Sequence, residues 1–199
     1  MKTKNVLLGT AIVLALGVAA CNSNSTSENV KDSTEKMNNE AIDATASTDS
    51  MARAQKEDAE NLVEIASGGM MEVELGKIAL QKATSPKVKK FAQMMIDDHT
   101  KANNELKTLA ESKSIVLPAS LTDEHQKMIN DVSEENGKKF DKKYMNMMLD
   151  DHKKDVDKFQ KLADKGNDAD IKAFAAKTLP VLIHHREEAE KLEKMTDKM

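Results

Sequence analysis

Proline and glycine are scarce in this chain, and they stand where helices would stop or start. Only three prolines and seven glycines occur in 199 residues. Between them, apolar residues recur every three or four positions, the spacing of a helix with one buried face. The spacing predicts a long helix from about Met51 to Thr84, with Ala59, Leu62, Val63, Ala66, Met70, Val73 and Leu80 inward and a bend at Gly68-Gly69. Ser85 caps a second helix with Pro86 at its first position, where a missing N–H costs nothing; it runs to about Ser112. Thr122 caps a short third helix ending near Gly137. A fourth runs from about Lys138 to Asp164, and Gly166-Asn167-Asp168 closes it and caps a fifth from about Ala169 to Lys198. Pro180 lies inside the fifth, so a kink or broken turn is expected there. Long amphipathic helices on short connections close into an all-α bundle.

The N-terminus carries a different signal. Lys2 and Lys4 precede an apolar stretch from Val6 to Ala20, shorter than the roughly 20 residues a spanning helix needs, as in a processed signal peptide. Cys21 follows Val18-Ala19-Ala20 and is the one cysteine of the chain. This arrangement resembles a bacterial lipobox and makes Cys21 the expected lipidation site, with residues 1–20 as lipoprotein signal peptide. Residues 21–50 are rich in Ser, Asn, Thr, Asp and Glu, with few bulky apolar residues. Such a segment reads as a disordered tether, leaving 51–199 as the folded domain. Anchorage is therefore expected at a membrane through the lipid on Cys21. Asn22 favours the outer over the inner membrane.

Composition excludes several classes of function. Lysines and acidic residues are interleaved, with a formal net charge of -4, so no segregated basic face addresses nucleic acid. Tryptophan is absent and aromatics are 3%, which leaves no stacking platform for bases or sugars. There is no phosphate-binding glycine loop and no serine in an elbow motif.

The second and fourth helices repeat one another. Phe91-Ala-Gln-Met-Met-Ile-Asp-Asp-His99 aligns with Tyr144-Met-Asn-Met-Met-Leu-Asp-Asp-His152. His99 falls on the stripe of Met95, Ala102 and Leu106. His152 falls with Met148, Val156 and Phe159, and His185 with Phe174, Val181, Ala189 and Leu192. Each lies roughly 20 to 25 Å along its helix at 1.5 Å per residue, so the three can meet near mid-height. Two readings stay open. The three are packing histidines bonded to aspartates or carbonyls, or they are ligands of a transition metal (copper, iron or zinc) with Glu72 or Glu74, Glu74 being the choice made here, as carboxylate. Asp98, Asp151 and Asp155 are further carboxylates within reach. His125, on the short helix, shares a face with Met128, Ile129 and Val132.

Met71-Glu-Val-Glu-Leu-Gly-Lys-Ile-Ala79, Ala83-Thr-Ser-Pro-Lys-Val-Lys-Lys-Phe-Ala92, Leu121-Thr-Asp-Glu-His-Gln126, Phe140-Asp-Lys-Lys-Tyr-Met145 and Phe174-Ala-Ala-Lys-Thr-Leu-Pro180 through His185 resemble the family catalogued as domain of unknown function 4142. The resemblance spans about residues 53 to 195. It implies secreted or outer-membrane bacterial proteins with a ferritin-like four-helix bundle and an additional short helix, and it matches His99, His152 and His185 to the family's recurring histidines. It implies no agreed activity. Many ferritin-like proteins hold two irons through Glu-x-x-His pairs. Here Ile96, Leu149 and Leu182 stand three residues before the histidines, against such a centre.

The leading expectation is a lipid-anchored, non-enzymatic protein of the cell envelope that binds a metal or serves the envelope under stress. The alternatives are a metal-dependent redox enzyme using the histidine-lined core, and an interaction module binding another envelope protein or a second copy of itself.

Overall fold

The computed structural model describes residues 29–198. The expected signal peptide, residues 1–20, and Cys21 lie outside the described residues. Six helices occur among them: α1 (Val30–Thr45), α2 (Asp49–Lys82), α3 (Pro86–Ser112), α4 (Asp123–Ser133), α5 (Gly137–Lys165) and α6 (Ala169–Thr196). The fold is all-α, as the helical periodicity requires.

The four long helices α2, α3, α5 and α6 form the bundle. Glu72 of α2 meets His99 of α3, while Gly69 lies against Asn103 and Gly76 against Ala92, so these two helices run antiparallel. Phe159 against Phe174 and His152 near His185 set α5 antiparallel to α6. Glu64 with Lys158 and Glu72 with His152 do the same for α2 and α5. Asp98 with His185 and Glu105 with Lys177 do it for α3 and α6. The repeated helices α3 and α5 therefore point the same way, on a diagonal. Between them the chain must travel back along the bundle, about 40 Å for a helix of this length. The stretch 113–136, with α4 in it, makes this single crossover.

The helix ends show where local chemistry and packing divide the work. Thr122 caps α4 by accepting from His125 N at 3.3 Å, and Asp168 caps α6 through Asp170 N and Ile171 N. Ser85 sits at the cap of α3 but makes no side-chain cap bond. Its role falls to Asp141 of α5, which is fully buried. Asp141 accepts from Thr84 N and Ser85 N at 2.9 Å each and from the Thr84 hydroxyl at 2.5 Å. Asp58 of α2 serves the other hairpin likewise, accepting from Asn167 N and Asp168 N at 3.3 and 3.0 Å. Each hairpin's connection is thus held by a carboxylate from the other hairpin.

Two expectations change. Residues 30–45, assigned to the disordered tether, form α1, which lies along α2. Its anchor is polar: buried Asn38 donates to Val116 O at 2.9 Å and accepts from Val116 N at 2.8 Å, while Asp43 pairs with Lys56 at 2.7 Å. A helix held by an amide against backbone carries little apolar signal. The broken turn at Pro180 does not occur, and α6 is continuous through it. Pro180 and Ala176 are both exposed, so the carbonyl that loses its i+4 partner faces water. No described helix is long and apolar enough to cross a membrane.

The apolar core is split. One cluster, with Met71, Leu75, Phe91, Met95, Phe140, Tyr144, Met145 and Met148, fills one half of the bundle. Another, with Leu62, Leu106, Phe159, Leu162, Ile171 and Leu182, fills the other. Between them in every long helix stands a buried polar residue. Removing the Asp141 carboxylate by Asp141→Ala should cost about 2 kcal/mol, because it strands the buried Ser85 N–H and removes two bonds to Thr84; urea denaturation of the parent and variant measures it.

Candidate metal centre

The layer between the two apolar clusters contains one polar side chain from each bundle helix: Glu72 from α2, His99 from α3, His152 from α5 and His185 from α6. Glu72 is 1% exposed, His99 6%, and His152 and His185 0%. The three imidazoles form a nearly equilateral triangle, with ring centroids 5.3, 5.3 and 5.5 Å apart. Each offers a nitrogen within 4.8 Å of the others. Three nitrogens gathered this closely can converge on one ion bonded at about 2.0–2.2 Å.

One nitrogen of each ring is already engaged. His99 Nδ1 lies 2.7 Å from Glu72 Oε2. His152 Nδ1 donates to the Met148 carbonyl at 2.9 Å, and His185 Nε2 donates to Asp98 Oδ2 at 2.9 Å. The opposite nitrogens, His99 Nε2, His152 Nε2 and His185 Nδ1, are buried without a hydrogen-bond partner, and so is Glu72 Oε1. Glu72 Oε1 and His152 Nε2 are 3.4 Å apart, without hydrogen-bonding geometry. Buried polar atoms are normally satisfied, because an unpaired one costs about 1–3 kcal/mol. The three imidazoles form a donor set, with Glu72 beside His99 and His152. Imidazoles anchored at one nitrogen by a carboxylate or carbonyl, with the other free, are built like metal-ligating histidines.

Burial sets the protonation. It pushes His99 down to about 4, against the pull of Asp155, Asp151 and Asp98. It pushes His185 down to about 4 as well, aided by His99 and opposed by Asp98. Burial, then His99 and His185, hold His152 well below the usual imidazole range. The rings are therefore neutral near pH 7 and present lone pairs. Burial and the Asp151 charge raise Glu72 well above the usual carboxylate range. Glu72 and His99 thus share a proton more readily than they form a buried ion pair. The geometry can hold a transition metal.

His99, His152 and His185 are brought together as helical spacing places them. Glu74 is not with them: its side chain is 47% exposed and pairs with Lys77 at 3.3 Å. The carboxylate at the centre is Glu72, on the face of α2 that carries Gly69 and Gly76. A Cβ at Gly69 would sit 2.1 Å from Asn103 Oδ1, and one at Gly76 would meet Ile96 Cγ1 at 2.8 Å and Ala92 O at 3.0 Å. The glycines let α3 approach this face, and reading Gly69 with Gly76 as a packing stripe, in place of a bend at Gly68-Gly69, selects Glu72. Asp98, one of the further candidate carboxylates, bonds across to α6 and orients His185. His125 stays apart, half-buried on α4, its Nδ1 2.7 Å from Ser67 Oγ. A cavity of about 110 Å³ reaches Glu72 and His99 between α2, α3, α4, α5 and α6, with Asp151, Asp155 and His125 in its wall.

A family match covers residues 43–192, to a domain of unknown function, DUF4142. The chain belongs to the DUF4142 family. No curated protein matches it by sequence. Among solved structures this DUF4142 chain is similar to CopM in its Cu(II)-bound form, with a TM-score of 0.59, and in its Cu(I)-bound form, with 0.58. In both, identity is 16%, and the match covers 69% of this chain and 95% of CopM. At that identity the likeness is one of fold.

A pair kept for packing would weaken the bundle when replaced. A pair kept for binding can be replaced on both sides by apolar groups of similar shape with a nearly neutral or stabilising effect. Glu72→Met with His99→Leu should therefore leave the metal-free protein at least as stable as the parent, read by thermal unfolding in chelator.

Proposed function

We propose that this protein binds one transition-metal ion, copper foremost, in the core of its bundle, and that it holds the metal without transforming a substrate. The observation that carries the reading is the meeting of three buried imidazoles from three helices, each with an unpartnered nitrogen (His99 Nε2, His152 Nε2 and His185 Nδ1), beside the unpartnered Glu72 Oε1. Imidazole suits copper, zinc and iron alike. Copper takes precedence because the similar fold of CopM is known with that metal bound in two oxidation states. The cavity of about 110 Å³ is well below the roughly 300–1,000 Å³ of pockets that take organic ligands, which favours holding over catalysis. Two antiparallel hairpins joined by one long crossover support a ferritin-like arrangement. A di-iron centre gains no support: buried Leu149 and Leu182 and half-buried Ile96 stand where Glu-x-x-His pairs need carboxylates.

The remaining elements of the reading rest on sequence. Cys21 carries the lipid, residues 1–20 are the signal, and the domain works at the cell envelope, with the outer membrane favoured. The tether is shorter than its composition implies, since α1 begins at Val30.

The test is metal content. The full chain, purified without chelator and loaded separately with copper(I), copper(II), zinc and iron(II), should retain close to one ion per chain for at least one of them. The triple His99→Ala, His152→Ala, His185→Ala variant should retain none. Asp98→Asn, which alters only the group orienting His185, should weaken binding by about 10- to 100-fold. Failure to retain metal under every loading condition overturns the proposal.

A further inference from the structure

The repeated Asp-His pairs have diverged. In α3, Asp98 turns to α6 and orients His185. In α5, Asp151 turns the other way, into the cavity, and Asp155 joins it one helical turn on. Oxygens of Asp151, Asp155 and Glu72 lie within 4.8 Å of one another. Glu72 is 1% exposed, and its Oε1 has no hydrogen-bond partner. This group is distinct in chemistry from the histidines, offering oxygen alone, and it lies on the open side of the centre.

We propose that Glu72, Asp151 and Asp155 form a second cation position, an oxygen-ligated antechamber through which a hydrated divalent cation reaches the histidines. The inference rests on the metal-binding reading of the core. Carboxylates take hard or still-hydrated cations, whereas imidazoles take borderline ions. An ion arriving from water first meets oxygen ligands that replace part of its hydration shell, then nitrogen ligands deeper in the bundle. Glu72 belongs to both positions: Oε2 lies against His99 Nδ1, while the carboxylate faces Asp151 and Asp155. The outer wall of this cavity carries both signs, with Lys31, Lys154 and Lys158 beside Glu64 and Glu124, so the pull on a cation comes from the three clustered carboxylates.

Manganese(II) is the probe, because its preference for oxygen ligands separates this position from the histidines. Binding of manganese(II) to the full chain is measured by electron paramagnetic resonance, before and after the chain is saturated with zinc. The expected result is one bound manganese(II) that persists after zinc loading and weakens at least about tenfold in Asp151→Asn, Asp155→Asn. Both side chains are half-buried at the cavity wall, and circular dichroism checks that the variant stays folded. Absence of manganese(II) binding by the parent overturns the proposal, and so does binding unchanged in the variant. If copper, zinc and iron are none of them retained but manganese(II) binds and responds to the two substitutions, the core reading fails and the acidic position stands.

Discussion

Taking a carboxylate and three imidazoles out of water is expensive, and everything else in this bundle is arranged to keep them there. An unpaired buried polar atom costs about 1–3 kcal/mol, and four of them meet in one layer. Glu72 is the pivot. One of its oxygens lies 2.7 Å from His99 and the other 3.4 Å from His152, so a single side chain of α2 addresses both members of the diagonal pair α3 and α5. The apolar clusters above and below supply the burial that offsets this layer. They also fix the ring positions, because close-packed cores tolerate little movement.

The frame around that layer is set by constraints at the helix ends. A diagonal pair of parallel helices requires a crossover, and the crossover brings α4 and His125 to the cavity on one side only. The opposite face, between α3 and α6, is closed by Asp98 and His185. Gly69 and Gly76 draw α3 onto α2 where larger residues would hold it off. Asp58 and Asp141, each buried, lock one hairpin's turn to the other hairpin and thereby keep four helices in register at mid-height. A one-turn slip of any helix would remove its donor from the layer.

Much of this was legible in the sequence, and the misses share a cause. Helical spacing alone put His99, His152 and His185 inward and at equal height, and the punctuating Gly, Pro and Asp residues marked most helix ends. What failed was reading polar residues in packed roles. Glu74 was chosen over Glu72 because both are glutamates near one stripe, and only the small-residue face toward α3 distinguishes them. Helix α1 went unseen because its anchor is Asn38 against the Val116 backbone, an interaction with no periodic signature. The α3 cap was assigned to Ser85, yet the donors go to Asp141, 56 residues away in sequence. Long-range polar partners of this kind leave no trace in local pattern.

The central claim is that the core holds one ion through imidazole nitrogen, and X-ray absorption at the metal edge of the copper(II)-loaded chain tests it most directly. The account predicts three imidazole nitrogens and one oxygen at about 2.0–2.2 Å, with no sulfur neighbour. A sulfur shell near 2.3 Å would place the metal among the methionines of the adjoining core instead. A shell of water oxygen alone would show that the histidine layer binds nothing.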